Sequence, residues 1–165
     1  MTEKFLYLIA TFDEETSLCM KKYENMLRDC GLIGTQTHDI PHHITLASYD
    51  LDREEEIKQR MQEVCSRTQS FDLSFNHIGL FGLKVLFLAP DVNYELLDLH
   101  KSFIPGNDLP HDWTAHATLL IDNPENIHKA LDLVTQNFKQ LKARVEGVSI
   151  YGIEPTRLIA ECKLH

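Results

Sequence analysis

The sequence has no apolar stretch long enough for a membrane-spanning helix, which needs about 20 residues. Its N-terminal apolar run, Phe5–Ala10, is too short for the hydrophobic segment of a secretion signal, and Asp13, Glu14 and Glu15 follow it closely. We therefore expect this run to form the first strand of a protein that does not contact a membrane.

Paired cysteine motifs are also missing, because the four cysteines follow no C-x-x-C spacing. Cys19, Cys30 and Cys65 fall in predicted helices, where free cysteine often serves as a small apolar residue, and Cys162 lies near the end of the chain. We expect all four to be reduced thiols in a cytoplasmic protein.

The common spacings of metal ligands are absent as well, since the chain contains neither H-E-x-x-H nor a Cys/His finger. We predict no metal and no cofactor. A metal site remains the alternative for a chain with nine histidines, with its candidate ligands among His38, His42, His43, His111 and His116.

The chain has few basic residues relative to its acidic ones. The chain has 16 lysine and arginine residues against 25 aspartate and glutamate residues, for a formal net charge of -9. Proteins that bind duplex DNA or long RNA usually present a basic surface, so the charge favours a small ligand, such as a nucleotide or an RNA end, and we expect no duplex DNA partner, although local lysine or arginine residues could still line a cleft. The chain has 165 residues, of which 43% are hydrophobic, which predicts one domain, residues 1–165, that we expect to be a monomer.

One short pattern occurs twice, as His43-Ile44-Thr45-Leu46 and as His116-Ala117-Thr118-Leu119. Each copy lies in a short apolar run typical of a strand. Because side chains alternate along a strand, the histidine and threonine of each copy should share a face, roughly 6–7 Å apart. One copy alone would suit an ordinary half-buried strand, but two copies favour a functional pair.

The repeat extends beyond the motifs. Lys4–Ala10 is echoed by Lys84–Pro90, and Phe75–Gly82 by Val145–Gly152. Each half, residues 1–82 and 83–165, therefore predicts strand, helix, motif strand, helix and strand. Periodicity and caps place the strands near residues 5–12, 71–80, 83–89, 114–121, 143–151 and 157–163, besides the first motif strand, and the helices after Asp13, near Asp52, after Asp91 and from Pro124.

Two histidines with a hydroxyl two residues on supply what acid–base chemistry at a phosphodiester needs. One imidazole takes a proton and the other gives one, and the hydroxyls hold phosphate oxygens. Histidine suits both tasks because its ordinary pKa lies near 6.5. The sequence leaves open which histidine acts as the base.

With these motifs, the chain resembles the 2H phosphoesterase superfamily, which includes 2'-5' RNA ligase-like proteins and cyclic nucleotide phosphodiesterases. The resemblance implies an α+β, bilobal fold of duplicated β-α-β-α-β units, with largely antiparallel sheets around a central cleft and helices outside. It makes His43 and His116 catalytic and Thr45 and Thr118 phosphate-binding. The implied reaction opens 2',3'-cyclic phosphates, or cleaves or joins 2'-5' linkages, without a metal. The alternative is a nucleotide-binding sensor that uses the same cleft.

Two features depart from that resemblance. His42 and Ala115 precede the motif histidines where many members have proline, and Leu120–Pro124 follows the second motif where many RNA ligase-like members have an arginine. These departures favour a nucleotide or an RNA terminus over a long RNA. Because it neighbours His43, His42 should point to the opposite face and be structural.

Contacts to the rest of the substrate are predicted from position. Tyr7 and Phe87 occupy equivalent places in the repeat, where an aromatic ring would either stack on a base or pack in the core. Tyr49 shares the predicted face of the first motif. Trp113, like the nearby His111, precedes the second motif and should lie at the cleft mouth.

Overall fold

The computed structural model describes residues 4–108 and 112–165. The predicted order of helices and strands is observed. The elements are β1 (Phe5–Phe12), α1 (Glu14–Asp29), β2 (His43–Tyr49), a 3-10 turn (Leu51–Arg53), α2 (Glu54–Arg67), β3 (Phe71–Phe81), β4 (Val85–Pro90), α3 (Tyr94–Lys101), β5 (Ala117–Ile121), α4 (Pro124–Asn137), β6 (Leu141–Ile153) and β7 (Arg157–Lys163).

Side-chain caps set where three of the helices begin. The Asp13 carboxylate accepts a hydrogen bond from the Thr16 backbone N–H at the start of α1, and Asn123 caps α4 ahead of Pro124. Helix α3 begins later than predicted, because Asn93 rather than Asp91 is its cap. It ends at Lys101.

The seven strands form one sheet in which all pairings are antiparallel, in the order β2-β1-β6-β3-β4-β5, with β7 also paired to β6. Together with the helices this confirms the predicted α+β class. Strand β6 is the longest and has β1 along one side and both β3 and β7 along the other. The two motif strands, β2 and β5, therefore lie at the two ends of the strand order.

The element order repeats as the motifs predict. Each half runs β-α-β-α-β, from β1 to β3 and again from β4 to β6, and β7 follows the second copy. The second motif strand is shorter than expected, because it begins at Ala117 rather than near residue 114. His116 consequently lies just before its strand, whereas His43 is the first residue of β2.

The core lies between the helices and the sheet. The apolar stripe of α2, formed by Ile57, Met61 and Val64, is buried, and so are the inward side chains of β1. Burying side chains of this size contributes about 1.5–3 kcal/mol each before the cost of ordering them. Helix α2 packs against β6 and β7, in the middle of the sheet, between the two motif strands of the strand order.

The cysteines differ from the prediction. Cys65 of α2 and Cys162 of β7 form a disulfide, so the expectation of four reduced thiols is wrong for these two. The pairing arises because α2 packs across β7, a contact between distant parts of the chain. Cys19 and Cys30 are free. No helix within the described ranges is long and apolar enough to cross a membrane.

Candidate active site

A cleft of about 360 Å³ opens between the two motif strands. Its walls come from β1, α1, the segment after α1, β2 and β5. Both motifs contribute to it, and the chemically informative lining residues are Tyr7, Glu24, Gln36, His38, His42, His43, Thr45, Ser48, Trp113, Thr114, His116 and Thr118. The predicted histidines and threonines of both halves thus share one cleft.

The two motif histidines are held in the same way. The Nδ1 atom of His43 lies 2.7 Å from the carbonyl oxygen of Pro41, and the Nδ1 atom of His116 lies 2.7 Å from that of Thr114. A carbonyl accepts only from a donor, so Nδ1 carries the hydrogen in both rings. In a neutral ring this places the lone pair on Nε2, which makes Nε2 the nitrogen for proton transfer.

Burial sets the acidity of the first histidine. Desolvation lowers the pKa of His43 to about 4, while its hydrogen bond to Pro41 acts in the opposite direction. Positive charge on His42 or His116 lowers the pKa further. At neutral pH the His43 ring is therefore uncharged and able to accept a proton.

The ring of the second motif histidine, His116, packs against two aromatic rings. The His116 ring lies 4.8 Å from the Phe81 ring, edge to face, and 5.1 Å from the Phe87 ring. A side-chain carbon at Gly79 would collide with the Phe87 ring, so the glycine leaves the room that this ring occupies. Phe87 is buried and does not line the cleft. Of the two alternatives left open for Phe87, base stacking and core packing, the structure supports packing, because the buried ring lies against His116.

Both motif threonines are half-buried in the cleft wall. Thr45 lies opposite Ile9 of β1, and Thr118 lies opposite Phe87 of β4. A hydroxyl at the edge of a half-buried cleft can donate to a phosphate oxygen in surroundings where such a bond is stronger than in bulk water.

A β-bulge at the last residue of the first motif lies between its histidine–threonine pair and Tyr49. Leu8 and Ile9 pair with Ala47 and Thr45, so Leu46 is an extra residue without an opposite partner. The bulge reverses the alternation after it and turns Tyr49 toward the core. Tyr49 is fully buried and donates its hydroxyl hydrogen to the Phe103 carbonyl. The expectation that Tyr49 faces the substrate is therefore wrong, and Ser48 lines the cleft instead.

Two predicted substrate contacts do line the cleft, Tyr7 and Trp113. The indole N–H of Trp113 donates to the Thr45 carbonyl at 2.9 Å, and the indole ring stacks on His100 with centroids 3.7 Å apart. Trp113 thereby joins the approach to the second motif to the strand of the first. His111 lies outside the described residues.

The sequence interpretation missed Glu24, a charged side chain in the wall of the cleft. His42 lines the cleft together with Glu24 of α1, and their side chains approach to 3.5 Å. His42 precedes the first residue of β2, so strand alternation does not turn it away from His43. Burial lowers the pKa of His42, while the negative charge of Glu24 acts to raise it. Burial raises the pKa of Glu24, but bonds from Lys21 and Arg28 hold it below its usual value.

Within residues 4–108 and 112–165, no three His, Cys, Asp or Glu side chains come together as ligands of a metal ion would. Of the histidines named as possible ligands, His38, His42, His43 and His116 line the cleft. The absence of a metal requirement stays a prediction, which measurement must decide.

The model of a protein family described as the 2'-5' RNA ligase superfamily matches residues 27–156, a span that contains both motifs. The chain belongs to the 2'-5' RNA ligase superfamily. This confirms the 2H phosphoesterase resemblance that the twin motifs indicate. No curated protein matches this superfamily member.

Solved structures share the fold of this superfamily member. E. coli LigT complexed with 3'-AMP matches it with a TM-score of 0.66 and 13% identity, over 99% of both chains. E. coli LigT complexed with ATP matches with a TM-score of 0.66 and 16% identity, also over 99% of both chains. The Thermus thermophilus protein TT0787 matches with a TM-score of 0.63 and 14% identity, over 97% of both. At these identities the likeness establishes the fold.

Proposed function

We propose that the protein is a metal-independent phosphodiesterase that opens 2',3'-cyclic phosphates, or cleaves or joins 2'-5' linkages, in nucleotides or at RNA ends. One observation carries the proposal: His43 and His116 line one cleft, come from equivalent places in the two halves, and present Nε2 through the same Nδ1 hydrogen bond. Together the two rings supply both proton transfers that the reaction needs.

For ring opening, we assign the base to His43 and the acid to His116. Nε2 of His43 takes a proton from water as the water oxygen bonds to phosphorus. The bond from phosphorus to one ribose oxygen breaks, and that oxygen receives the proton from Nε2 of His116, whose ring must begin the step as an imidazolium with a hydrogen on each nitrogen. The neutral state of the His43 ring at pH 7 supports this order. Joining would follow the same steps with the hydroxyl of a second RNA end in place of water, so that its oxygen bonds to phosphorus as one ribose oxygen leaves.

The threonines and the cleft walls would bind the rest of the substrate. The hydroxyls of Thr45 and Thr118 donate to the non-bridging phosphate oxygens, which gain charge as the water attacks. Tyr7 and Trp113 are the aromatic side chains of the wall that would contact a base. That LigT, which shares the fold, is found with 3'-AMP and with ATP supports a nucleotide ligand.

We propose that the chain acts as a monomer on this ligand. A cytoplasmic location stays a prediction, and the Cys65–Cys162 disulfide argues against it because reducing compartments disfavour such bonds.

Turnover should survive removal of metal ions. A panel of 2',3'-cyclic nucleotides, 2'-5' dinucleotides and ADP-ribose cyclic phosphate, assayed with and without EDTA, is expected to show hydrolysis of at least one class at an unchanged rate. Loss of activity in EDTA, with recovery on adding a divalent ion, would contradict the metal-free assignment. Tight binding of a nucleotide without turnover of any compound would instead support the sensor alternative. The position of the product phosphate identifies the oxygen that leaves.

The pH dependence of kcat/KM should be bell-shaped, with an acid limb far below the ordinary histidine range. As a base His43 must be neutral, and burial lowers its pKa to about 4, so activity should fall with acid only as the pH approaches that value. The two apparent pKa values belong to the coupled pair. Circular dichroism at each pH separates loss of activity from unfolding. An acid limb centred at or above about 6.5, the ordinary histidine value, would rule out a desolvated His43 as the base.

A further inference from the structure

The bulge in the first motif strand has a counterpart in the second. Leu86 and Phe87 of β4 pair with Leu120 and Thr118 of β5, so Leu119 is an extra residue there, as Leu46 is in β2. Both bulges fall on the leucine of the H-x-T-L motif. The extra residue has no opposite partner, and both motif strands end the strand order, so its carbonyl group has no neighbouring strand on the outer side and needs a donor from elsewhere.

A side chain from the opposite half supplies that donor in each case. Nδ1 of His100, on α3, lies 2.9 Å from the Leu46 carbonyl oxygen. Nε2 of Gln36, in the segment after α1, donates to the Leu119 carbonyl oxygen at 3.3 Å. Because a carbonyl accepts only from a donor, the His100 ring carries hydrogen on Nδ1. We call Gln36 and His100 the bulge donors.

Further contacts hold each bulge donor in place. The backbone N–H of Ile121 donates to the Gln36 Oε1 atom at 2.9 Å, so the Gln36 amide takes the place of a neighbouring strand along the outer edge of β5. A side-chain carbon at Gly34 would collide with the Gln36 amide and would lie 2.9 Å from the Ile121 carbonyl oxygen. The φ of Gly34, 80 degrees, also favours glycine. His100 is stacked on Trp113, which itself bonds to Thr45.

We propose that Gln36 and His100 are positioning residues, which set the distance and orientation of the two catalytic imidazoles by holding each motif strand from the other half. The inference rests on the proposed function for its catalytic meaning. This role requires neither side chain to contact the reacting atoms. The link matters because the base and the acid must meet the same phosphate, and a misplacement of about 1 Å can cost on the order of 100-fold in rate.

Paired substitutions test the proposal. Gln36→Met removes the two hydrogen bonds to β5 and a third to the Ile33 carbonyl at nearly constant side-chain length. Gln62→Met makes the same change at an exposed position on α2. His100→Phe keeps a ring against Trp113 but removes the donor. His100→Asn keeps a donor near the place of Nδ1. We expect Gln36→Met and His100→Phe to lower kcat by on the order of 10- to 100-fold with little change in KM, His100→Asn to recover much of the loss, and Gln62→Met to have no effect.

Comparing two substrates with different leaving groups distinguishes a positioning role from a general loss of stability. A nucleoside phosphodiester with a 4-nitrophenolate leaving group needs no acid, whereas a ribose oxygen does. If the variants misplace the acid relative to the base, their loss should be much smaller on the 4-nitrophenyl ester. An equal loss on both substrates, or a change confined to KM, would overturn the positioning role.

An NMR titration of His43 needs no turnover and so stands apart from the proposed function. If the wild type hydrolyses nothing in the panel, the proposed function fails. The His43 pKa can still be measured, and it reports whether the two bulge donors set the spacing of the imidazoles. His116→Ala should raise the His43 pKa by removing a neighbouring positive charge, and this increment should shrink in the Gln36→Met and His100→Phe backgrounds. An increment that stays the same in both backgrounds would show that the bulge donors do not set the spacing.

Discussion

Replacing either His43 or His116 with alanine is expected to lower turnover by on the order of 10²–10⁴-fold. Each ring performs one of two proton transfers that occur together, so losing either disables the step. The double variant should be little worse than either single variant, because residues that act as a unit are strongly non-additive. Steady-state and single-turnover kinetics on the best substrate of the panel measure all three.

A matched control for these variants is His128→Ala, which removes an exposed imidazole from α4 and should leave kcat unchanged. Binding of a product nucleotide, measured by calorimetry, should survive His43→Ala and His116→Ala better than turnover does, because the threonines and the cleft walls remain. Near-normal turnover in either single variant would show that the duplicated motif is scaffold and that the chemistry lies elsewhere.

The second large effect is expected from the threonines. Thr45→Val and Thr118→Val each remove a hydroxyl while keeping the branched shape that suits a strand, so the fold should persist. Loss of one preorganised donor to the phosphate oxygens should cost about 3–4 kcal/mol of transition-state stabilisation, which is on the order of 100- to 1000-fold in kcat. KM should change far less, since the charge on those oxygens grows only as the reaction proceeds.

Thr135→Val, at an exposed position on α4, makes the same chemical change away from the cleft and provides the control. Thermal unfolding of all three variants shows whether the strands remain intact. Unchanged kcat in both motif variants, with normal unfolding, would mean that the threonines are present only for their preference for strands.

Much of the site could be predicted because it depends on local pattern. Alternation along a strand is a property of the backbone, so the spacing in His43-Ile44-Thr45 places a ring and a hydroxyl on one face, and both line the cleft. The repeat of that spacing at His116 and Thr118 indicated a second wall of the same kind. The α1 cap at Asp13 was predictable for a similar reason, since it acts only three residues away.

The errors arise where contacts between distant residues decide. Alternation placed Tyr49 beside the first motif, but the bulge at Leu46 reverses the faces, and a bulge depends on the register with β1. Phe87 was matched to Tyr7 by its place in the repeat, yet the two halves use that place differently because Gly79 gives the Phe87 ring room against His116.

The sequence by itself determined the order of helices and strands, the α+β class and the two histidine–threonine pairs, because caps, turns and alternation act over a few residues. Tertiary structure alone decided that the pairs share one cleft, that Cys65 bonds to Cys162, and that Gln36 and His100 reach the opposite motif strands. These contacts join residues far apart in the chain. No local pattern encodes them, since they exist only once the register of the whole sheet is set.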